Sequence, residues 1–502
     1  MSEEVGQSHS PCTMREGVLV ALALVAVIVA QLIAIVGLFL FSRYFWVAEL
    51  YTHAVVTHPH LSGAFQAIQA GIDSMPTYAL VLRVLATAAG DPSEVFFRGS
   101  AFASVVLALV GVYVLLRDSV RPLPALAAVF IIWAHPLSLI HAFDARFHGP
   151  FLAAAVWFSF AVTRRLAAPH KRWTAIGLAL ASLALCSIHV FGVVVWTIVL
   201  VVVALAYRGW RRYLPALAGP PVVPILWFVA LAPQRKTFTV TTWEAPFSWS
   251  RVLDTAGYVL VPEYLAAAFL LMWAVFCVHR VVTREATNRP PTPFSPSLLL
   301  LSSVSLLIPA LVVLSLVVQP VLTPRYSIAA IVALAPAVAY GLSRIPRWGS
   351  IVVLLALVLV STNELRRKAA QARWQDDQTR AVMASIRALP TDGPIVFEVP
   401  HVLDVVWHYA PDLRTRLVLL DFEMGDVPDP SPIRIAARDL ARAYGTVFDA
   451  PRRLPWSELQ SAPAFYLAPD PRAYNKPPTA DRRYPGFAVV PENAIISRAT
   501  RR

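Results

Sequence analysis

Charge is scarce in this 502-residue chain, and acids are the scarcer sign: 30 Asp and Glu stand against 43 Lys and Arg, with charged residues only 15% of the total. Cysteine is nearly absent. Cys12, Cys186 and Cys277 are too few and too scattered for a disulfide framework or a zinc-binding pattern. No Gly-rich strand-to-helix turn stands in the basic loops, which argues against a nucleotide-binding fold. There is no internal repeat, and no inverted pair of interrupted hydrophobic segments of the kind transporters often carry. Strict apolar–polar alternation is missing too, which excludes a transmembrane β-barrel.

What the chain has instead is apolar residues, 57% against about 45–50% in an average soluble domain. Mean hydropathy is +0.60. The excess sits in blocks long enough to cross a bilayer as helix, which takes about 20 residues. The net charge of +13 and the pI near 10 would suggest nucleic acid in a soluble protein. Here arginine between apolar blocks is the simpler cause, because it fixes membrane topology, and no nucleic-acid partner is expected.

The blocks predict eleven spans, at 17–41, 96–116, 122–141, 149–163, 173–188, 190–207, 213–232, 255–278, 297–318, 326–343 and 348–362. The first is too long for a signal-peptide core and lacks a small-x-small cleavage site, so it reads as an uncleaved span after a polar 1–16. Segment 77–90 is short and reads as an interfacial helix inside a long outer loop, 42–96. With the N-terminus inside, the inner loops hold Arg117 and Arg121, then Arg164, Arg165, Lys171 and Arg172, then Arg208, Arg211 and Arg212. Arg280, Arg284, Arg289, Arg344 and Arg347 continue the series, while the outer loops are poorer. That bias predicts a cytoplasmic N-terminus and an extracytoplasmic C-terminus, in a cell membrane.

The tail from 363 is charged and proline-rich, with no spanning run. A helix is expected over 364–389 and helical stretches at 401–409 and 433–444. Strands are expected at 394–399, 415–421 and 464–467, and disorder over the last ~30 residues. The fold class that emerges is an all-α polytopic membrane bundle, 17–362, with a small extracytoplasmic α/β domain, 363–502.

Several residues at the outer ends of the spans could carry chemistry. Glu49, in FWVAELYTHAV, is either a general base beside the membrane surface or an ordinary interfacial carboxylate. Asp73, before Pro76, is either functional or, like Ser74, a helix cap. Asp144 and Arg146, in HAFDARFHGP, are functional candidates because charge at a span end is costly unless paired; a local ion pair is the alternative. Arg325, in LTPRYSIAAI, offers a fork for phosphate oxygens or serves as a snorkelling anchor, and Tyr326 fits the aromatic belt. Trp243 and Glu244 are weak candidates for a sugar-facing wall. His53, His58, His60, His141, His148 and His189 share the outer face, which makes a divalent-metal site possible, but their spacing matches no standard ligand motif, so no metal is indicated and no other cofactor is expected.

In order, these pieces resemble the polyprenyl-phosphate-dependent glycosyltransferases of the GT-C fold, in the branch with protein mannosyltransferases and aminoarabinose transferases. The resemblance runs from about Phe45 to Leu342. It rests on AELYT (48–52), Asp-x-x-Pro-x-Tyr (Asp73–Tyr78), Phe97-Arg98-Gly99, Asp144-Ala145-Arg146, His189 and Pro324-Arg325-Tyr326. It implies an extracytoplasmic cavity that binds a lipid-phosphate sugar and passes it, with inversion, to a lipid, glycan or protein acceptor. It also implies a base at 48–49 and a second acid at Asp144. Arg146 and Arg325 become phosphate partners, and Asp73, Arg98, His189 and Tyr326 further binding residues. The family usually has Asp-Glu at the first motif, whereas here Ala48 precedes Glu49. Glu49 then either takes over as base or the chain is a degenerate relative acting as a scaffold. A transporter or flippase is the remaining alternative, and it would need charges deep within the spans, where the sequence has very few.

Overall fold

The computed structural model describes residues 22, 26–31, 33, 39–68, 75–207, 222–223, 226–227, 247–260, 295–317, 321–389, 393–397, 400–421, 452–468, 487–492 and 495–501. The chain divides into two compact units. The first is built from 1–38, 99–224 and 246–368, the second from 39–98, 225–245 and 369–502.

The first unit is helical. Among the described residues three helices are long and apolar enough to cross a membrane: Glu94–Arg117, Pro296–Val317 and Arg347–Arg387. A bent pair, Pro122–Ala134 (α1) and Pro136–Ala142 (α2), adds a fourth if counted as one span. His148–Ala167 (α3), Arg172–Ile188 (α4) and Phe191–Ala206 (α5) lie where spans are expected at 149–163, 173–188 and 190–207. The stretch expected at 326–343 starts as a 3-10 helix, Ile328–Ala333, before becoming Leu334–Ser343. Pro336 lacks the N–H that would reach back to Val332, so the turn before it tightens instead of continuing the α ladder. Expected spans at 17–41, 213–232 and 255–278 lie wholly or largely outside the described residues.

Apolar composition makes these helices, and their polar atoms are tied inside. Gln31 accepts from the Trp133 indole at 3.1 Å and donates to Ser361 Oγ at 3.0 Å. In an apolar interior that exchange keeps three polar side chains satisfied at once.

The bend between α1 and α2 has a local cause. Pro136 disfavours the helical region for the residue before it and has no N–H of its own. His135 accordingly sits at ψ 133°, and the two axes meet at 67°. The His135 ring then serves both sides of the break: Nδ1 accepts from Leu137 N at 3.1 Å, and Nε2 lies 3.0 Å from the Val259 carbonyl. This bend sets the direction of α2, which ends at the Asp144 turn.

The second unit is a mixed sheet with helices. Its strands are Ile395–Phe397 (β1), Leu417–Asp421 (β2), Arg452–Pro455 (β3), Ala464–Leu467 (β4), Phe487–Pro491 (β5) and Ser497–Arg501 (β6). Their order is β3-β2-β1-β4-β6-β5. The first four run parallel, and β6 is antiparallel to both β4 and β5. Strands β1, β2 and β4 match three expected strands, and helix Pro400–Tyr409 matches the expected 401–409. The helix expected at 433–444 lies outside the described residues.

The end of the chain differs from expectation: β5 and β6 occupy part of a stretch read as disordered. FAVVP and SRATR alternate along one antiparallel pair, with Ser497 and Ala499 buried. Pairing with β4 supplies the burial that composition alone did not show. Val396, Val418, Phe465, Leu467 and Ala499 form one core, and Val382, Leu403, Val406, Leu417 and Tyr466 belong to another.

Residues 39–98 belong to this same unit. Helix Val47–Thr57 packs against Pro400–Tyr409, and Tyr44 lies against the sheet's core. Phe45 N donates to Tyr409 Oη at 2.8 Å, and that hydroxyl donates to Glu94 at 2.7 Å. The segment expected as interfacial forms helix Pro76–Ala89, closed by Gly90 at φ 64°, where a side chain would be strained. Its cap position falls at Met75. The expected cap residues, Asp73 and Ser74, lie outside the described residues.

Candidate active site

In the first unit the chain builds a corner from α2, a short turn and α3. His141 is in the last turn of α2, Asp144 is in the turn, and His148 opens α3. All three are buried, at 5%, 4% and 5% exposure. His141 Nδ1 lies 3.2 Å from Asp144 Oδ2, and His148 Nδ1 lies 3.8 Å from the same oxygen. The two imidazoles stack at 4.0 Å. Donor atoms from the three residues all fall within 4.8 Å of one another.

Close backbone packing holds the corner. A Cβ on Gly149 would approach the Ala101 carbonyl at 2.9 Å, so α3 crosses helix Glu94–Arg117 with no room for alanine. Gly192 does the same for the α4–α5 turn. A Cβ there would run into the Leu185 carbonyl. The turn fixes His189, whose Nδ1 accepts from Phe191 N at 3.2 Å.

His189 stacks on Phe147 at 4.4 Å and lies 5.7 Å from the Tyr326 ring. Tyr326 is in turn covered by the Arg325 guanidinium at 4.8 Å. Arg146 is half-buried beside Phe147, and the charges of Arg146 and Arg325 both bear on His148 and His189. The structure thus brings Asp144, Arg146, His189, Arg325 and Tyr326 together. A carboxylate, two guanidiniums and aromatic faces can hold a phosphate and stack on a sugar or an apolar chain.

Glu49 and Arg98 form their own assembly in the second unit. Both are fully buried. Arg98 Nε donates to Glu49 Oε1 at 2.9 Å and Nη2 to Oε2 at 2.7 Å, a bidentate pair. The other guanidinium donors reach the carbonyls of Phe41 at 2.9 Å, Arg43 at 2.6 Å and Tyr44 at 3.0 Å. Glu49 Oε2 also accepts from Trp46 N at 3.2 Å, and Arg43 approaches it at 3.8 Å. The Glu49 carboxylate is therefore engaged at both oxygens, and Arg98 spends its donors on the loop that precedes helix Val47–Thr57. Ala48, next to Glu49, brings no carboxylate.

Of the remaining candidates, Asp73, Trp243 and Glu244 lie outside the described residues. The sequence reading weighed His141 and His148 only among six histidines of the outer face, without grouping them with Asp144. The spacing His-x-x-Asp-x-x-x-His was visible, but it needs the break at His135–Pro136 and the turn at 143–147 to bring the three together.

No family model matches this chain, and no curated protein matches it. Solved structures do. The crystal structure of ArnT from Cupriavidus metallidurans in the apo state aligns over 95% of this chain and 97% of its own length, with a TM-score of 0.57 and 14% identity. The same protein bound to undecaprenyl phosphate aligns over 96% and 97%, at 0.55 and 13%. This chain has the GT-C fold. The likeness covers more than the resemblance drawn from residues 45–342, because it takes in the tail as well. The 363–502 region is thus part of what aligns.

Proposed function

We propose that this chain is a membrane glycosyltransferase that moves one sugar from a polyprenyl-phosphate donor to an acceptor hydroxyl, with inversion. The observation that carries the reading is the buried Asp144 with Arg146 and Arg325 at the same corner, within a fold shared with a protein solved with undecaprenyl phosphate bound. An anionic lipid headgroup needs fixed positive charge in a water-poor place, and two guanidiniums supply it. As the bond from the sugar's anomeric carbon to the phosphate oxygen breaks, negative charge grows on the phosphate. Arg146 and Arg325 offset that charge, more strongly in a low dielectric than they would in water.

The acceptor oxygen forms the new bond at the anomeric carbon, on the face opposite the leaving phosphate, and loses its proton. Asp144 is the carboxylate we assign to receive that proton, with His141 orienting it. Glu49 is assigned to hold the loop through Arg98, because both its oxygens are already bonded. The aromatic group of His189, Phe147 and Tyr326 forms a wall for the sugar or the first isoprene units. In this reading the corner faces the extracytoplasmic side of the cell membrane, with eleven spans, an inside N-terminus and an outside tail, as the arginine bias implies.

The test is transfer of label from a panel of polyprenyl-phosphate sugars by the purified protein in lipid, beside Asp144→Asn and Glu49→Gln. Wild-type transfer that disappears in Asp144→Asn is expected. Full transfer by Asp144→Asn would overturn the assignment of the base. A protein that neither binds nor turns over any donor would overturn the transferase reading itself.

A further inference from the structure

We infer that His141, Asp144 and His148 form a binding site for one divalent transition metal, Zn2+ by the chemistry of its donors. The inference deepens the proposed function, since it concerns the same corner. Its test reads bound metal and not transfer, so either can fail alone.

The first argument is the donor set. Two imidazoles and one carboxylate, all buried, are the ligands of three-residue zinc sites. At metal–ligand distances of about 2.0–2.1 Å a tetrahedral ion holds its donors roughly 3.3 Å apart. The Asp144 Oδ2 atom lies 3.2 Å from His141 Nδ1 and 3.8 Å from His148 Nδ1. A small closure around an ion brings the second distance into line.

The second argument is independent of spacing. His148 Nδ1, His148 Nε2 and His141 Nε2 are buried, and none has a hydrogen-bond partner among the described residues. Buried ring nitrogens are normally paired, and leaving three unpaired side by side is costly. Without an ion, the Asp144–His141 hydrogen bond explains one nitrogen of four. A lone hydrogen-bonded pair would not need His148 at all, yet its ring is stacked against His141 and turned to the same carboxylate oxygen. A metal gives that second ring its partner.

Electrostatics fits the same conclusion. Two neutral imidazoles and one carboxylate around Zn2+ leave one positive charge. Arg146 and Arg325 add two more nearby. Such a corner holds a bare cation poorly and an anion well, so the fourth position suits an oxygen of a phosphate or a water.

The experiment is elemental analysis of tag-free protein, stripped with a chelator, re-equilibrated with Zn2+ and passed through a desalting column in detergent or nanodiscs. Co2+ titration of the stripped wild type gives a second reading that depends on no variant. The expected result is about one zinc per chain, falling at least tenfold in His148→Gln and in Asp144→Asn, and a tetrahedral Co2+ d–d spectrum that added Zn2+ erases. Wild type with no zinc above the buffer blank and no Co2+ spectrum would overturn the inference. So would one equivalent of zinc retained undiminished in both variants, which would put the metal elsewhere.

Discussion

Asp404 is half-buried, with Tyr51 Oη donating to its Oδ2 at 3.0 Å, and burial raises its carboxyl from 3.8 to about 7. Burial outweighs the Tyr51 hydrogen bond, so the folded tail keeps Asp404 protonated through most of the acid range. The unfolded chain releases that proton near 4. Between those two values the folded state binds more protons than the unfolded one, and stability falls as pH rises. Below about 4 both states are protonated, and above about 7 both are ionised, so the slope is confined to that window. Each tenfold difference in acidity is worth 1.36 kcal/mol, which makes the loss about 4 kcal/mol across it. Asp404→Asn removes the ionisation while keeping an acceptor for Tyr51. Thermal unfolding in detergent, followed by tryptophan fluorescence at pH 5.5 and pH 8, measures the effect. The wild type should melt lower at pH 8, and the variant should lose less between the two conditions. A variant with the same pH slope as the wild type would refute the reasoning.

Removing one partner of the Glu49–Arg98 pair should be severe. Arg98→Met takes the bidentate partner from a buried carboxylate, leaving Arg43 at 3.8 Å, at a cost of about 3–5 kcal/mol, read as lost yield of monodisperse protein in detergent. Gly192→Ala should destabilise the α4–α5 turn and displace His189, lowering donor affinity as well as melting temperature. Arg325→Ala, at an exposed position, should leave melting unchanged and weaken binding of undecaprenyl phosphate roughly tenfold or more, as losing a charge-assisted hydrogen bond of about 1.5–3 kcal/mol implies. Unchanged binding in that variant would remove Arg325 from the phosphate site.

The bilayer makes much of this fold legible. Apolar blocks must become helices, and helices appear at 94–117, 148–167, 172–188 and 191–206, close to where hydropathy places them. The tail was less readable because its strands are three to five residues long and owe their burial to partners distant in sequence. Strand β6 shows this best: SRATR has little apolar character, and only pairing with β4 and β5 makes it a strand. Within the candidate site, Asp144, Arg146, His189, Arg325 and Tyr326 were each visible as a polar or aromatic residue at a span end. The engagement of Glu49 was not. A carboxylate and an arginine 49 residues apart give no local pattern, and the bidentate contact exists only once helix Val47–Thr57 and the start of helix Glu94–Arg117 meet. The grouping of His148 with His141 and Asp144 was not legible for a similar reason, since it depends on a turn that hydropathy reads merely as a gap between spans.

The reach of Arg98 also dictates an order of events during synthesis. Its guanidinium gathers the carbonyls of residues 41, 43 and 44 and the Glu49 carboxylate. Those groups leave the ribosome about fifty residues before it does. Until residue 98 arrives, the segment from residue 41 to Glu49 has main-chain acceptors and an acid that lack the guanidinium they close on. The segment between residues 41 and 98 is therefore completed from its far end, and a nascent chain halted before position 98 should expose it to protease while one halted well beyond that should not.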